Sequence, residues 1–187
     1  MTARAAEDPR EIMQALAAGE RRALMRLIAL YGPGLRRYIA GALHQPSEAE
    51  DLAQELFLRA WRHAGRYDPA RGAVSTWLYR MAVNLCIDHN RRGRFRRFVG
   101  IEDVPEPEDD SPGAEGGLAA RQRLAQARDA IAGLPERQRR AILLKAAGGL
   151  ATSEIAAALS ISEGAAEQLL VRARAALRTR LDGEDRP

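Results

Sequence analysis

The sequence is poor in cysteine and in long apolar runs, and each shortage excludes a class of protein. The single cysteine, Cys86, excludes an internal disulfide and is typical of a protein kept in a reducing compartment. No apolar run approaches the ~20 residues that a membrane-spanning helix needs, so membrane insertion is not expected. The first residues, MTARAAEDPREIMQ, lack the apolar core of a signal peptide. We therefore expect a soluble, cytoplasmic protein.

Lysine is also nearly absent, because 28 of the 29 basic residues are arginine and only Lys145 is lysine. The formal net charge of +4 and a pI near 9.8 favour a polyanionic partner. Arginine binds phosphate and guanine through parallel N–H donors. A GC-rich genome also raises the arginine content, so only the places where arginines cluster indicate function.

Aromatic residues are few, and all nine lie at or before Phe98. Six of them lie between Asp51 and Arg97, mixed with a dense set of arginines. Rings that stack on base faces, beside arginines that bind phosphates, are typical of proteins that hold unpaired bases. The first half of the chain is therefore the expected site of any function that needs rings.

The coarse pattern is helical, because no segment alternates apolar and polar residues at a period of two. In the first half, helices are expected over residues 11–30, 35–43, 47–63 and 75–92. Residues 31–34, Tyr-Gly-Pro-Gly, are expected to break the first pair. Ser47 and Glu50 match a capping box at the start of the third helix. Ser75 can cap the fourth helix after the turn-rich residues 66–72.

Residues 99–117 change character, with seven acidic residues, three prolines and no basic residue. So little apolar surface cannot offset the ordering entropy, and this composition predicts a linker. Further helices are expected over 118–132, 135–148 and 152–181, the last with a break at 160–162. The predicted fold class is all-α, with two small helical domains joined by a flexible acidic linker. The expected boundaries are a tail at 1–10, a helical bundle at 11–97, the linker at 98–117, a helix-turn-helix domain at 118–182 and a tail at 183–187.

The segment TSEIAAALSISEGAAEQLLVRARAALR fits a helix-turn-helix, with Ser160 in the turn and Ser162 capping the second helix. The outward face of that helix carries Gly164, Glu167, Gln168, Val171 and Arg172. Such a face can lie in a major groove, with Gln168 and Arg172 contacting base edges. Arginines that could bind phosphates flank it: Arg137, Arg139, Arg140, Arg174 and Arg178. An ordinary helical hairpin with a solvated polar face is the alternative.

Two polar faces in the first half are candidate binding surfaces. On the helix from Ser47, one face carries Asp51, Gln54, Glu55, Leu58 and Arg62. The leucine within this polar stripe suggests a protein partner, although periodicity alone favours a solvated face with one stray leucine. On the helix from Thr76, a polar arc holds Thr76, Arg80, Asn84, Asp88 and Arg91, with Trp77 at its edge. Arg80 and Asn84 are suited to base-edge contacts. Trp77 and Tyr79 could stack on bases, but large aromatics at helical spacing are more often core.

The sequence offers no catalytic or metal site. Cys86 and His89 have the spacing of half a zinc site, and no second pair completes it. No phosphate-binding glycine loop and no credible nucleophile–base pair is present. We therefore expect no metal, no cofactor and no enzymatic activity.

Three blocks together resemble the extracytoplasmic-function (ECF) sigma factors of bacterial RNA polymerase. They are DLAQELFLRAW, RYDPARGAVSTWLYRMAVNLCIDHNRR and LPERQRRAILLKAAGGLATSEIAAALSISEGAAEQLLVRARAALR. They occur in the family's order, with an acidic segment where the family places its linker. The resemblance implies that residues 11–97 are sigma domain 2 and that residues 118–182 are sigma domain 4.

The resemblance also implies roles for the candidate residues. Docking on the β′ clamp helices of core RNA polymerase would fall to Asp51, Gln54, Glu55 and Leu58. Recognition and melting of the −10 promoter element would fall to Arg66, Tyr67, Arg71, Thr76, Trp77, Arg80, Asn84, Arg91 and Arg92. The loop between Arg66 and Ser75 would receive a flipped base. The resemblance outweighs periodicity for Leu58, and we expect a protein partner there.

For domain 4, the resemblance implies binding to the −35 element and contact with the polymerase β flap. The −35 residues would be Ser162, Gly164, Glu167, Gln168, Val171, Arg172 and Arg174. Glu167 and Leu169 depart from the family's basic pattern, so a lower non-specific affinity and an altered −35 preference are expected. An anti-sigma factor that masks both domains is a further implied partner. The alternative function is a free-standing helix-turn-helix regulator that never engages polymerase.

Overall fold

The computed structural model describes residues 8–98 and 118–184. Every regular element in these two ranges is helical, as the all-α class predicts. The eight α-helices are α1 (Pro9–Ala17), α2 (Arg21–Ala42), α3 (Ala49–His63), α4 (Val74–Phe98), α5 (Leu118–Ala132), α6 (Glu136–Gly148), α7 (Thr152–Leu159) and α8 (Glu163–Glu184). The predicted acidic linker, after Phe98, lies outside the described residues. Of these eight helices, none is long and apolar enough to cross a membrane.

Helices α1–α4 form the first bundle. Its core residues repeat at spacings of three and four, so each helix presents one apolar face to the others. The largest fully buried members include Ile12, Leu16, Leu27, Leu35, Tyr38, Ile39, Leu56 and Leu78. Burial of one such side chain stabilises the fold by about 1.5–3 kcal/mol. This core fixes α3 and α4, which carry the candidate residues of the first domain.

The predicted break at residues 31–34 is wrong, because α2 runs without interruption through Pro33. Proline usually costs about 3 kcal/mol inside a helix. Here the preceding residue, Gly32, has no Cβ to clash with the proline ring. The real break lies at Gly19, whose φ of +88° ends α1 in the left-handed region. The first helix also begins two residues earlier than predicted, at Pro9.

Two predicted helix caps are also wrong. Ser47 lies in a 3-10 turn, Pro46–Glu48, and α3 begins at Ala49 without a side-chain cap. Ser75 lies inside α4, where its hydroxyl donates a hydrogen bond to Glu154 of α7. The helix α4 also runs six residues further than expected, to Phe98.

Helices α5–α8 form the second bundle and contain the expected helix-turn-helix. The turn between α7 and α8 holds Ser160 at a φ of +55°, where a glycine is more usual. Ser162 caps α8, because its Oγ accepts a hydrogen bond from the backbone N–H of Ala165 at 3.3 Å. Gly149, in the left-handed conformation, ends α6 as its position predicts. These features confirm the predicted local structure.

The two bundles pack against each other, with α6 on α2 and α7 on α4. Their cores form one continuous apolar cluster. The close approach depends on glycine: a Cβ added at Gly34 would lie 2.9 Å from the carbonyl oxygen of Ala147. A Cβ at Gly41 would lie 2.7 Å from Cδ2 of Leu143. Two glycines one heptad apart on α2 therefore make room for α6.

Candidate functional site

An open groove of about 260 Å³ lies between α2 and α3. Its lining residues are mostly apolar, with polar groups at the edge: Leu24, Ile28, Arg36, Glu50, Ala53, Gln54, Phe57 and Leu58. The Leu58 side chain is 52% exposed. The groove is therefore a concave apolar surface with the predicted Leu58 at its rim.

The other candidate docking residues on α3 differ in their exposure and in whether they already form an ion pair. Asp51 and Gln54 are exposed on the same side of the helix as Leu58. Glu55 is half-buried and forms an ion pair with Arg59 one turn later. Arg36 of α2 lies 3.7 Å from Glu50 across the groove. Among the described residues, the side chains of Asp51 and Gln54 thus have no hydrogen-bond or ion-pair partner, whereas the Glu55 carboxylate is already paired.

The loop between α3 and α4 is held in shape by its own side chains. The Tyr67 hydroxyl donates to the carbonyl oxygen of Gly72 at 3.0 Å, and Asp68 accepts from the backbone N–H of Ala70 at 2.9 Å. The Tyr67 ring packs edge-on against Trp77, with centroids 5.8 Å apart. Burial raises the pKa of Tyr67 above its usual value. Both rings are half-buried here, while the predicted Arg66 and Arg71 are exposed.

Three members of the predicted polar arc on α4 are exposed, Arg80, Asn84 and Arg91, as is the neighbouring Arg92. Asp88 is half-buried and pairs with Arg91 at 3.3 Å. Thr76 is an exception, since only 7% of it is exposed, and it bonds to Glu154 of the second bundle. Tyr79 is also buried, and its hydroxyl donates to the carbonyl oxygen of Ala147 at 3.3 Å. Burial raises the pKa of Tyr79 to about 12. Tyr79 is thus a core residue at the boundary between the bundles, as helical spacing favours.

The start of α4 is covered by α7 of the second bundle, which no sequence pattern predicted. Glu154 Oε1 accepts hydrogen bonds from Thr76 Oγ1 at 3.0 Å and from Ser75 Oγ at 3.3 Å. Further along α4, Arg80 donates to the Ser160 hydroxyl at 3.2 Å. Two residues expected to contact the −10 element are therefore engaged by the second bundle.

The predicted outward face of α8 is exposed along its length. Its exposed members are Ser162, Gly164, Glu167, Gln168, Val171, Arg172 and Arg174. The opposite face is buried through Ala166, Leu170 and Ala173. Among the flanking arginines, Arg139 cannot serve as a phosphate contact in this arrangement. It is only 7% exposed, and its guanidinium donates to the carbonyl oxygen of Ala132.

Cys86 and His89 do not come together as a metal site. Cys86 is buried, and burial raises the pKa of its thiol to about 12, which disfavours the thiolate that a metal would need. The imidazole of His89 pairs with Glu48. Throughout residues 8–98 and 118–184, no three metal-ligating side chains lie close enough to share an ion.

Comparison with known proteins finds two family matches in the chain. Residues 27–96 match the family Sigma-70 region 2, and residues 121–177 match the family Sigma-70, region 4. The chain is 33% identical over 186 residues to the RNA polymerase sigma factor CnrH of Cupriavidus metallidurans, covering 95% of this chain and 97% of the relative. It is 37% identical over 169 residues to the ECF RNA polymerase sigma factor SigL of Mycobacterium tuberculosis, covering 88% and 93%.

Solved structures agree in fold. The structure of CnrH in complex with the cytosolic domain of CnrY aligns with a TM-score of 0.74 at 27% identity, covering 96% of this chain and 100% of that one. The sigma factor RpoE of Bartonella quintana, in complex with the anti-sigma factor NepR, aligns with a TM-score of 0.73 at 26% identity, covering 87% and 98%. The shared motifs, the matched regions and this likeness lead to one conclusion: the chain belongs to the ECF family of RNA polymerase sigma factors.

Proposed function

We propose that this protein binds core RNA polymerase and directs promoter-specific initiation, with no catalytic activity of its own. The observation that carries the proposal is Leu58, half exposed at the rim of an apolar groove on the helix where the family docks on polymerase. Isolated exposed leucines are ordinary, but one beside a concave apolar surface is typical of a protein-binding site. The partner surface is the β′ clamp helices, contacted by Asp51, Gln54, Glu55 and Leu58.

Promoter recognition is divided between the two bundles. The exposed Asn84, Arg91 and Arg92, and the loop residues Arg66, Tyr67 and Arg71, would contact the −10 element. The exposed face of α8, including Gln168 and Arg172, would contact the −35 element, and the second bundle would touch the β flap. A function in transcription places the protein in the cytoplasm.

The observed packing of the two bundles is the closed form of the protein in this proposal. Thr76 and Arg80 are engaged by Glu154 and Ser160, so they can contact the −10 element only after α7 leaves α4. The aligned CnrH structure holds the cytosolic domain of CnrY, and the aligned RpoE structure holds the anti-sigma factor NepR. That likeness supports control by an anti-sigma factor that binds this closed form and keeps it from polymerase.

The direct test is run-off transcription with core polymerase on a randomised promoter library. The protein should yield transcripts that share two elements at a fixed spacing, whereas core polymerase alone should not. The rival function, a free-standing helix-turn-helix regulator, predicts binding to duplex DNA without any core-dependent transcripts. A protein that leaves core polymerase silent on every template contradicts the proposal.

A further inference from the structure

At the C-terminal end of α4, two exposed aromatic rings extend the polar arc that is expected to contact the promoter. Phe98 follows Arg80 by 18 residues, which is about five turns of an α-helix, so the two share one face. Phe95 follows Asn84 by 11 residues, or about three turns. At about 1.5 Å per residue, Phe95 lies about 16 Å beyond Asn84 along the axis. The arc therefore extends well past its predicted last member, Arg91.

Both rings are conspicuously solvent-accessible. Phe95 is 67% exposed and Phe98 is 89% exposed, while the other described aromatics are buried or half-buried. A large aromatic side chain gains about 1.5–3 kcal/mol when it is buried, so exposing two in one helix face has a cost. That cost indicates a partner that covers them.

The charge around the rings indicates which partner this is. Five of the seven residues from Arg91 to Arg97 are arginine, and none is acidic. Arg91 and Arg94, both exposed, lie on the same face as the rings at helical spacing. Arg91 also pairs with Asp88 one turn earlier at 3.3 Å, a surface contact that contributes little and that a phosphate can replace. An apolar protein partner would have to bury these cations, whereas a nucleic-acid strand brings phosphates to them. Rings alternating with arginines suit unpaired bases, which stack on the rings while their phosphates meet the arginines.

We propose that Phe95 and Phe98 form a stacking platform for unpaired bases of single-stranded DNA. This extends the proposed −10 surface and rests on the proposed function for its biological setting. A single strand could reach from Asn84 to Phe95, since the spacing of about 16 Å between them corresponds to several nucleotides at about 3.4 Å per stacked base. The platform lies away from Glu154 and Ser160, and within residues 8–98 and 118–184 the closed form leaves both rings exposed.

The test measures binding of the full-length protein to a fluorescent oligothymidine of about 20 nucleotides and to a duplex of the same length. Changing Phe95→Ala or Phe98→Ala should weaken single-strand binding about tenfold per ring. Binding to the duplex, whose bases are already stacked, should change by less than about twofold. Both side chains are exposed, so the variants should keep the wild-type circular dichroism and melting temperature.

Two matched controls separate stacking from other roles. Phe95→Leu keeps an apolar side chain but has no ring face, so it should weaken single-strand binding as much as Phe95→Ala does. Arg94→Ala should lower the slope of log affinity against log salt by about 0.7, whereas the phenylalanine variants should leave that slope unchanged. Wild-type single-strand affinity in Phe95→Leu, or in both alanine variants, overturns the platform.

The outcome is also distinct from that of the proposed function. If the alanine variants lose affinity for core polymerase and keep single-strand affinity, the rings contact protein, and the platform is wrong. If wild type gives no core-dependent transcripts while the rings still determine single-strand affinity, the proposed function fails and the platform stands.

Discussion

The hydroxyl of Thr76 donates a hydrogen bond to Glu154 across 3.0 Å, joining the start of α4 to α7. The same carboxylate also receives a hydrogen bond from the backbone N–H of Ala151, which fixes its position. A residue expected to contact promoter DNA thus stabilises the contact between the two bundles. Under the proposed function, domain closure and promoter recognition would therefore compete for the same side chain.

Thr76→Val should shift the protein toward an open form. Valine keeps the shape of threonine but cannot donate to Glu154, and a partly exposed hydrogen bond to a carboxylate contributes about 1 kcal/mol. Small-angle X-ray scattering should show a larger radius of gyration than for wild type. As a control, Thr179→Val removes a hydroxyl that bonds within α8, to the Ala175 carbonyl oxygen. If Thr76→Val scatters like Thr179→Val, the hydrogen bond does not hold the domains closed.

Gly34→Ala should separate the bundles without weakening the first one. The new Cβ would lie 2.6 Å from the Tyr79 hydroxyl and 2.9 Å from the Ala147 carbonyl oxygen, so α6 must move away. Alanine itself favours the helical state of α2 by about 1 kcal/mol over glycine. The matched control is Gly93→Ala, whose Cβ meets nothing within 4 Å. Scattering curves that coincide for the two variants would show that α2 and α6 tolerate the extra carbon.

Asn84→Ala should reduce promoter opening and Asn90→Ala should reduce stability, although both remove an asparagine from α4. Asn84 is exposed, so its loss should reduce promoter opening while core binding and stability stay unchanged. Asn90 is buried and bonds the Ala42 carbonyl oxygen at 2.9 Å and the backbone N–H of His44 at 3.2 Å. Its loss should cost about 1–3 kcal/mol of stability in urea unfolding. Permanganate reactivity of the −10 region checks the first effect, and equal opening by Asn84→Ala and wild type would remove the role of Asn84.

Cys86 should resist alkylation in the folded protein. Burial raises the pKa of its thiol from 9.0 to about 12, so the thiolate is scarce near neutral pH. Iodoacetamide at pH 8 should modify it far more slowly than in urea. The pKa of the thiol is higher in the folded protein than in the unfolded chain. The stability that the buried neutral thiol contributes is therefore complete below pH 9 and is lost as the pH rises from 9 toward 12. Cys86→Ala should lack that part of the decline, and equal alkylation rates in buffer and urea would contradict burial.

Local sequence patterns were sufficient to predict the elements whose structure depends on residues close by in the chain. The apolar residues of α3 and the outward face of α8 recur at spacings of three and four, and both faces lie where that periodicity places them. The positive φ of Ser160 also follows from its place in the turn. The uninterrupted course of α2 could not be predicted from local patterns, because a proline usually breaks a helix and Pro33 is accommodated here beside Gly32.

Long-range contacts were beyond such patterns. Thr76 and Glu154 are 78 residues apart, and their pairing depends on how two complete bundles meet. The sequence likewise predicts a phosphate contact for Arg139. That prediction misses its burial, because the hydrogen-bond acceptor, the carbonyl oxygen of Ala132, lies at the end of another helix, α5. The polar character of these residues was readable from the sequence, but the partner of each was not.

Binding to core RNA polymerase tests the central claim most directly. Wild-type protein, Leu58→Arg and Leu124→Arg should be titrated against core polymerase, since Leu58 and Leu124 are 52% and 53% exposed and lie on different bundles. A charge placed at the groove should lower affinity at least tenfold for Leu58→Arg, because an unpaired buried cation costs more than 1.4 kcal/mol. Leu124→Arg should bind like wild type. Failure of the wild-type protein to bind, or equal affinity of Leu58→Arg and wild type, would contradict docking through this groove.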